Sequence, residues 1–418
     1  MTFYLGASTA AHQIEGNNIH SDFWAQEQMK NSIFDEPSLE AVDHYNRYQE
    51  DIDLLKEAGF NAYRFSIEWA RIEPEKNKFD MKEMKHYLDV INYCNESGIE
   101  PFITLHHFSS PKWLITEGGW EAESTIEYFK KYTEFVVSNL GDSVKYICTI
   151  NEANMGIQLA AIIERILKQM GINPQVGISE ALGESQKEQM LETEKVFGLK
   201  PGEMANTFLS QRSDRGDKII IDCHIAAREV IRSINKDIKV GLTLSLHDLQ
   251  LGDDSKEAKE RVAKAWDAEF LHYLPAIKED DFFGAQNYTR EVFTADGVQK
   301  VEDEALLTEM GYEDYPQALE HVVRKVYENF KGDIFITENG IAASDDVKRV
   351  AFIDVVADGV KRMISDGLPI KGYFHWSLMD NFEWQKGFSM KFGLVEVDRA
   401  NQMRKPKPSL YYLGKKFK

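Results

Sequence analysis

Eight short apolar runs recur along the chain: YLGAS (4–8), AYRFSI (62–67), PFITLHH (101–107), YICTIN (146–151), VGLTLS (240–245), FFGAQNY (282–288), IFITE (334–338) and GYFHW (372–376). Each is rich in β-branched or aromatic residues and shows little strict alternation, as expected of strands buried on both faces. Most gaps between them carry a helical period. In HYNRYQEDIDLLKEAG, Tyr45, Tyr48, Ile52 and Leu55 fall on one helical face and Gly59 supplies the stop. DMKEMKHYLDVINYCNESG and SDDVKRVAFIDVVADGVKRMISDG end the same way, at Gly98 and Gly367. Strand–helix alternation predicts a parallel sheet, and eight strands are the number that closes an α/β (β/α)8 barrel, the TIM barrel. An open doubly wound sheet is the alternative, and it loses ground because no GxGxxG or P-loop opens any helix.

No Gly/Ser-rich or Pro-rich linker divides the chain, so residues 1–418 read as one catalytic domain. The stretch 155–215, between the fourth and fifth strands, breaks the pattern. It carries polar, charged segments such as SEALGESQKEQMLETEK and reads as a partly helical insertion beside the site.

Two of the runs end in carboxylates. TINEAN brings Glu152 to the end of the fourth strand, and ITENG brings Glu338 to the end of the seventh. In such a barrel, chemistry collects where the strands end, so both should look into one pocket. Two carboxylates facing one cavity suit glycoside hydrolysis. One acts as general acid toward a leaving oxygen, and the other attacks or screens the developing cation. A single strand-end Glu can equally be a salt-bridge partner of a neighbouring Arg.

Charge and cysteine narrow the partners. The 69 acidic residues against 49 basic ones give a formal charge of −20, which repels phosphate backbones and anionic membranes. Neither a nucleic-acid nor a membrane partner is expected. Cys94, Cys148 and Cys223 are odd in number, far apart and without a CxxC pair, which fits a reducing compartment and argues against a structural zinc. MTFYLGAS lacks a basic n-region and a long apolar run, so no signal peptide is read and a cytoplasmic location is expected.

ITENG (336–340), TINEAN (149–154) and HWSLMDNFEWQKGFSMKFGLVEVD (375–398) resemble glycoside hydrolase family 1, the retaining β-glucosidase family. QIEG (13–16), YRFSIEWARIEP (63–74), TLHHF (104–108), GGW (118–120) and FFGAQNYT (282–289) follow in the family's order. The resemblance spans Gln13 to Asp398 but covers little of 155–215. It implies that Glu338 is the nucleophile and Glu152 the acid/base. It also implies that Asn151 bonds the sugar 2-hydroxyl, and that Arg64 and Tyr288 stabilise Glu338. Gln13, His107, Glu383 and Trp384 match its sugar-holding positions, and Trp376 would floor the sugar. Trp120 may serve the fold alone or the site; the sequence leaves both open. No cofactor or catalytic metal is expected, because His106 and His107 have no further ligand pattern beside them.

Four departures bear on specificity. Ala153 stands where the family usually has Pro after the acid/base, so a looser turn is expected. Gln286 replaces the usual Asn, adding a methylene to a group expected to reach the sugar or the acid/base. Phe108 and Ser109 replace the usual Trp and Asp.

The function expected is an exo-acting, retaining β-glycosidase that takes a small β-glycoside and cleaves terminal glucosyl or galactosyl groups. A 6-phospho-β-glycosidase is the alternative; Glu383 would repel a 6-phosphate, whereas Lys386, Ser389 and Lys391 would attract it. A non-catalytic sugar-binding barrel should lack one of the two glutamates, and a metal-dependent isomerase should show a ligand cluster. A transglycosidase would use the same residues. Oligomeric state is not legible.

Overall fold

The computed structural model describes residues 2–161 and 184–417. Its eight barrel strands are β1 (Tyr4–Ser8), β2 (Ala62–Ser66), β3 (Glu100–His106), β4 (Tyr146–Ile150), β5 (Lys239–Ser245), β6 (Phe282–Gln286), β7 (Asp333–Asn339) and β8 (Ile370–Trp376). Each neighbours the next in sequence, all pairs are parallel, and β8 closes on β1. Every predicted strand is present, with ends shifted by one or two residues.

The helical predictions hold at the same resolution. Helix α1 (His44–Ala58) ends on Gly59 at φ 87°, a left-handed conformation that glycine adopts without a Cβ clash. Helix α2 (Met81–Glu96) begins on Asp80, whose carboxylate accepts from the main-chain N–H of Lys82 and Glu83. In α1, Ile52 and Leu55 are buried as the period predicts, whereas Tyr45 and Tyr48 are half-buried. Tyr45 instead stacks on His86 of α2 at a ring separation of 3.7 Å. The two tyrosines therefore join helix to helix rather than helix to barrel.

The barrel interior is layered. At the end where the strands begin, Tyr4, Phe102, Tyr146, Phe282, Phe335 and Phe374 interlock around Ala62 and Cys148. Phe102 and Tyr146 stack 4.4 Å apart. This plug closes one end, so a cavity is available only at the other, where the strands finish.

Elements outside the barrel extend that open end. Asp248–Leu251, Arg290–Thr294 and Gly297–Val298 form a small sheet beyond β5 and β6, and Val395–Asp398 pairs with Met403–Pro406 beyond β8. Of the stretch 155–215, residues 162–183 lie outside the described ones. The described remainder includes the helix Glu184–Phe197, which packs toward Asp22–Glu27 and Lys112–Thr116.

Candidate active site

Glu338 reaches the cavity through a strand irregularity. Phe335 faces the barrel interior, and Ile334 and Ile336 face the surrounding helices. Strict alternation would therefore turn Glu338 outward. The register against β6 slips between Ile336 and Glu338, and the extra residue re-aims the side chain. Inside, Arg64 Nη1 donates to Glu338 Oε1 at 2.6 Å, and the Tyr288 hydroxyl donates to Oε2 at 2.8 Å. Arg64 is fully buried at the middle of β2, so its charge is held in place rather than solvated. Burial pushes the Glu338 carboxyl above its ordinary range; Arg64 and the Tyr288 hydrogen bond oppose the rise.

Glu152 is held differently. It lies two residues past the end of β4 with a left-handed backbone, φ 43°, uncommon for a residue with a Cβ. Its main-chain N–H donates to Thr243 Oγ1 at 3.1 Å, and the nearby Ser245 hydroxyl opposes the rise of its carboxyl. Burial and then the neighbouring Glu338 charge push it well above the ordinary range. Ala153, where a looser turn is expected, is bonded on both sides of its main chain. Its N–H, which proline would lack, donates to Thr243 O at 3.1 Å, and its carbonyl accepts from Arg212 Nη1 at 2.6 Å.

Asn151 links the two halves. Its Oδ1 accepts from Arg64 Nη2 at 2.6 Å and from Gln286 Nε2 at 2.8 Å, and its Nδ2 lies 3.1 Å from His107 Nε2. Burial and then Arg64 push His107 well below the ordinary imidazole range, so its ring is neutral.

The far side carries the remaining polar groups. Gln13 Nε2 donates to Phe382 O at 2.7 Å and approaches Glu383 Oε2 at 3.4 Å. Burial and then the Glu338 charge push Glu383 up to about 8. Trp376 lies 5.6 Å from His107, ring to ring, and Trp384 lies 6.1 Å from it. Trp384, which opens the 3-10 turn Trp384–Lys386, is buried and also packs on Phe23 and Phe108.

Gln13 Oε1, His107 Nδ1 and Gln286 Oε1 are buried and have no hydrogen-bond partner among the described residues. Buried polar atoms are normally satisfied, so these three call for water or a polar ligand.

His106 and Trp120 stand outside this set. Ser110 Oγ joins them, 3.0 Å from His106 Nε2 and 3.0 Å from Trp120 Nε1, within an aromatic cluster that includes Phe208. Ser109 donates to Glu68 Oε1 at 3.2 Å. The sequence reading missed Thr243 and Ser245. Their one available signal was position, at the end of β5 beside the Glu152 turn.

The sequence profile described as Glycosyl hydrolase family 1 matches residues 1–164 and 227–417. "Beta-glucosidase 42" of Arabidopsis thaliana is 31% identical over 100% of this chain and 93% of its own length. A "6-phospho-beta-galactosidase" of Clostridium acetobutylicum is 27% identical over 98% and 95%. The crystal structure of the β-glycosidase BGL167 superposes with a TM-score of 0.89 at 39% identity, covering 99% of this chain and 95% of that one. A closed barrel carrying two buried glutamates, with matches running almost end to end, has one consistent reading: the chain belongs to glycosyl hydrolase family 1 and is a glycoside hydrolase.

Proposed function

We propose that the chain is an exo-acting, retaining β-glycosidase in which Glu338 attacks the anomeric carbon and Glu152 protonates the leaving oxygen. The observation that carries this assignment is the contrast in charge stabilisation. Glu338 has a buried Arg and a Tyr hydroxyl bonded to its two oxygens, whereas Glu152 bears the repulsion of Glu338, which Arg64 and Ser245 oppose without an ion pair among the described residues. The first stays ionised as a nucleophile must, and the second keeps its proton as an acid must. Once the glycosyl-enzyme ester forms, Glu152 removes a proton from water, which attacks the anomeric carbon and releases Glu338. Gln13, His107 and Glu383 hold the sugar hydroxyls, with the Trp376 and Trp384 indoles beside them. Asn151 meets the 2-hydroxyl, and Gln286 orients Asn151.

An unphosphorylated sugar fits better than a 6-phosphosugar. Glu383 occupies the far side, and the nearby groups that would hold a phosphate are turned elsewhere. Lys391 Nζ donates to Phe388 O at 2.9 Å, Ser389 Oγ donates to Lys386 O at 2.7 Å, and Lys386 is exposed. A panel of nitrophenyl β-glucoside, β-galactoside and their 6-phosphates decides the matter. Preference for a phosphorylated member would overturn the assignment of Glu383.

Residues 1–418 are read as one domain with an irregular insertion at about 155–215. A cytoplasmic location is supported by three buried free thiols. No described helix is long and apolar enough to cross a membrane.

A further inference from the structure

Glu152 stands past the end of β4, on main chain that its own strand does not hold. Its φ of 43° is left-handed, a conformation that a residue with a Cβ keeps only where the surroundings fix it. On one side β5 does the fixing. Thr243 Oγ1 accepts from the Glu152 N–H, and Thr243 O accepts from the Ala153 N–H, both at 3.1 Å. On the other side the fixing falls to a residue of the stretch 155–215. Arg212 Nη1 donates to Ala153 O at 2.6 Å, and its Nη2 donates to Phe208 O at 3.0 Å.

This is a costly place for a cation. The Arg212 side chain is 2% exposed, and burial pushes it below its ordinary range. Asp217 Oδ1 lies 3.9 Å from Nη1, beyond hydrogen-bond distance, and the Asp217 oxygens are taken by Tyr273 and His272. Among the described residues, the guanidinium spends its hydrogen bonds on main-chain carbonyls. A buried charge so weakly paired is a poor device for stability alone.

The neighbourhood is shaped to receive it. A Cβ on Gly156, in the segment that leaves the Glu152 turn, would lie 2.7 Å from Arg212 Cζ. The Phe208 ring centre lies 4.8 Å from the same carbon. The main chain is anchored at the next residue, where the Ser213 N–H donates to Glu121 Oε1 at 2.8 Å.

We propose that Arg212 is a positioning residue for the acid/base: by holding the Ala153 carbonyl it keeps the Glu152 carboxyl aimed at the leaving oxygen. This rests on Glu152 being the acid. Proton donation needs a placed carboxyl, and a displacement of about 1 Å can cost on the order of 10²-fold. The turn carries no proline to set its shape, so bonds from β5 and from Arg212 set it instead.

The test compares kcat/KM for phenyl β-glucoside and for 2,4-dinitrophenyl β-glucoside, whose leaving groups share a ring but differ in their need for a proton. Arg212→Met keeps an apolar stem and deletes the donors. The phenyl-to-dinitrophenyl ratio should fall by about tenfold or more, within the range that general acid catalysis supplies. Gly156→Ala should lower the same ratio, because its methyl displaces the flexible end of Arg212 from the turn. Thermal melting checks folding, and Gly156→Ala carries the test if Arg212→Met does not fold.

An arginine that only supports the fold would slow both substrates together. A second readout uses the Glu152→Ala enzyme, where no carboxyl remains to be aimed. There the added Arg212→Met should cost little further on either substrate, as coupled residues require. An unchanged ratio in the folded variant, or an undiminished loss in the Glu152→Ala background, would overturn the proposal. If Glu152→Ala alone slows both substrates equally, it is the acid assignment beneath the proposal that fails.

Discussion

Glu338 and Glu152 are the same residue type in the same cavity, both buried, yet the chain surrounds them differently. Glu338 belongs to a regular strand and is aimed inward by one register slip; Arg64 and Tyr288 each bind one of its oxygens. Glu152 sits beyond its strand on a left-handed backbone, fixed by its main-chain N–H to Thr243. The first arrangement stabilises charge, and the second stabilises position. Desolvation raises both carboxyls, so burial alone cannot assign their roles. The distinction lies in what opposes that rise.

Removing either carboxylate breaks the comparison at its root. Glu338→Gly should lower turnover of an aryl β-glucoside by about 10⁴-fold or more, as for groups acting directly on the reacting bond. Added azide should restore turnover with an inverted glycosyl azide as product, because a small anion can occupy the vacated volume. Near-normal activity without azide would exclude the nucleophile role. Glu152→Ala should cost roughly 10²–10⁴-fold on a disaccharide, whose leaving group needs its proton. A dinitrophenyl glucoside should lose far less in the glycosylation step. Equal losses on both substrates would mean that Glu152 supports only the fold.

A finer substitution tests the charge side alone. Tyr288→Phe removes one hydrogen bond that opposes the rise in the Glu338 carboxyl. The nucleophile should then ionise at higher pH, moving the acid limb of kcat/KM upward by about one pKa unit. The alkaline limb, governed by Glu152, should move less. A shift confined to the alkaline limb would reverse the two assignments.

The sequence made the barrel legible because strand and helix periods depend on neighbours a few residues apart. Both glutamates were legible for a related reason, since each closes an apolar run in its own motif. Cross-strand partnerships were less accessible. Gln286 was expected at the sugar or the acid/base, and the bond from its Nε2 to Asn151, 135 residues earlier, was not foreseen. Ala153 suggested a loose turn, and only the neighbouring β5 carbonyl reveals what its N–H gains. Trp384 was read only through the resemblance, and its ring contacts to Phe23 and His12 near the start of the chain have no local signal. Local pattern carries the elements and the reacting groups. The contacts that tune those groups cross the barrel and have no local signature.

A trapped enzyme, with no side chain removed, tests whether the two environments communicate. In the free enzyme, the Glu338 charge is the second cause, after burial, that lifts Glu152. Below its raised pKa Glu152 is protonated, so activity requires Glu338 ionised and Glu152 protonated together, and the pH profile should be bell-shaped. Esterification of Glu338 by the sugar deletes its charge while leaving Arg64 in place. The repulsion then disappears, and the carboxyl of Glu152 should ionise at lower pH by about one unit or more, depending on the effective dielectric. That direction is the one the second half-reaction needs, because Glu152 must then accept a proton from water. Titrating Glu152 in the wild type and in an enzyme trapped with a 2-fluoroglucosyl group would measure the shift. Arg64 sharpens the reading, because its attraction works against the Glu338 repulsion in the free enzyme and acts unopposed by that charge in the trapped one. An unchanged titration would mean that burial alone sets Glu152, and that the change from acid to base is driven by something other than the nucleophile's charge.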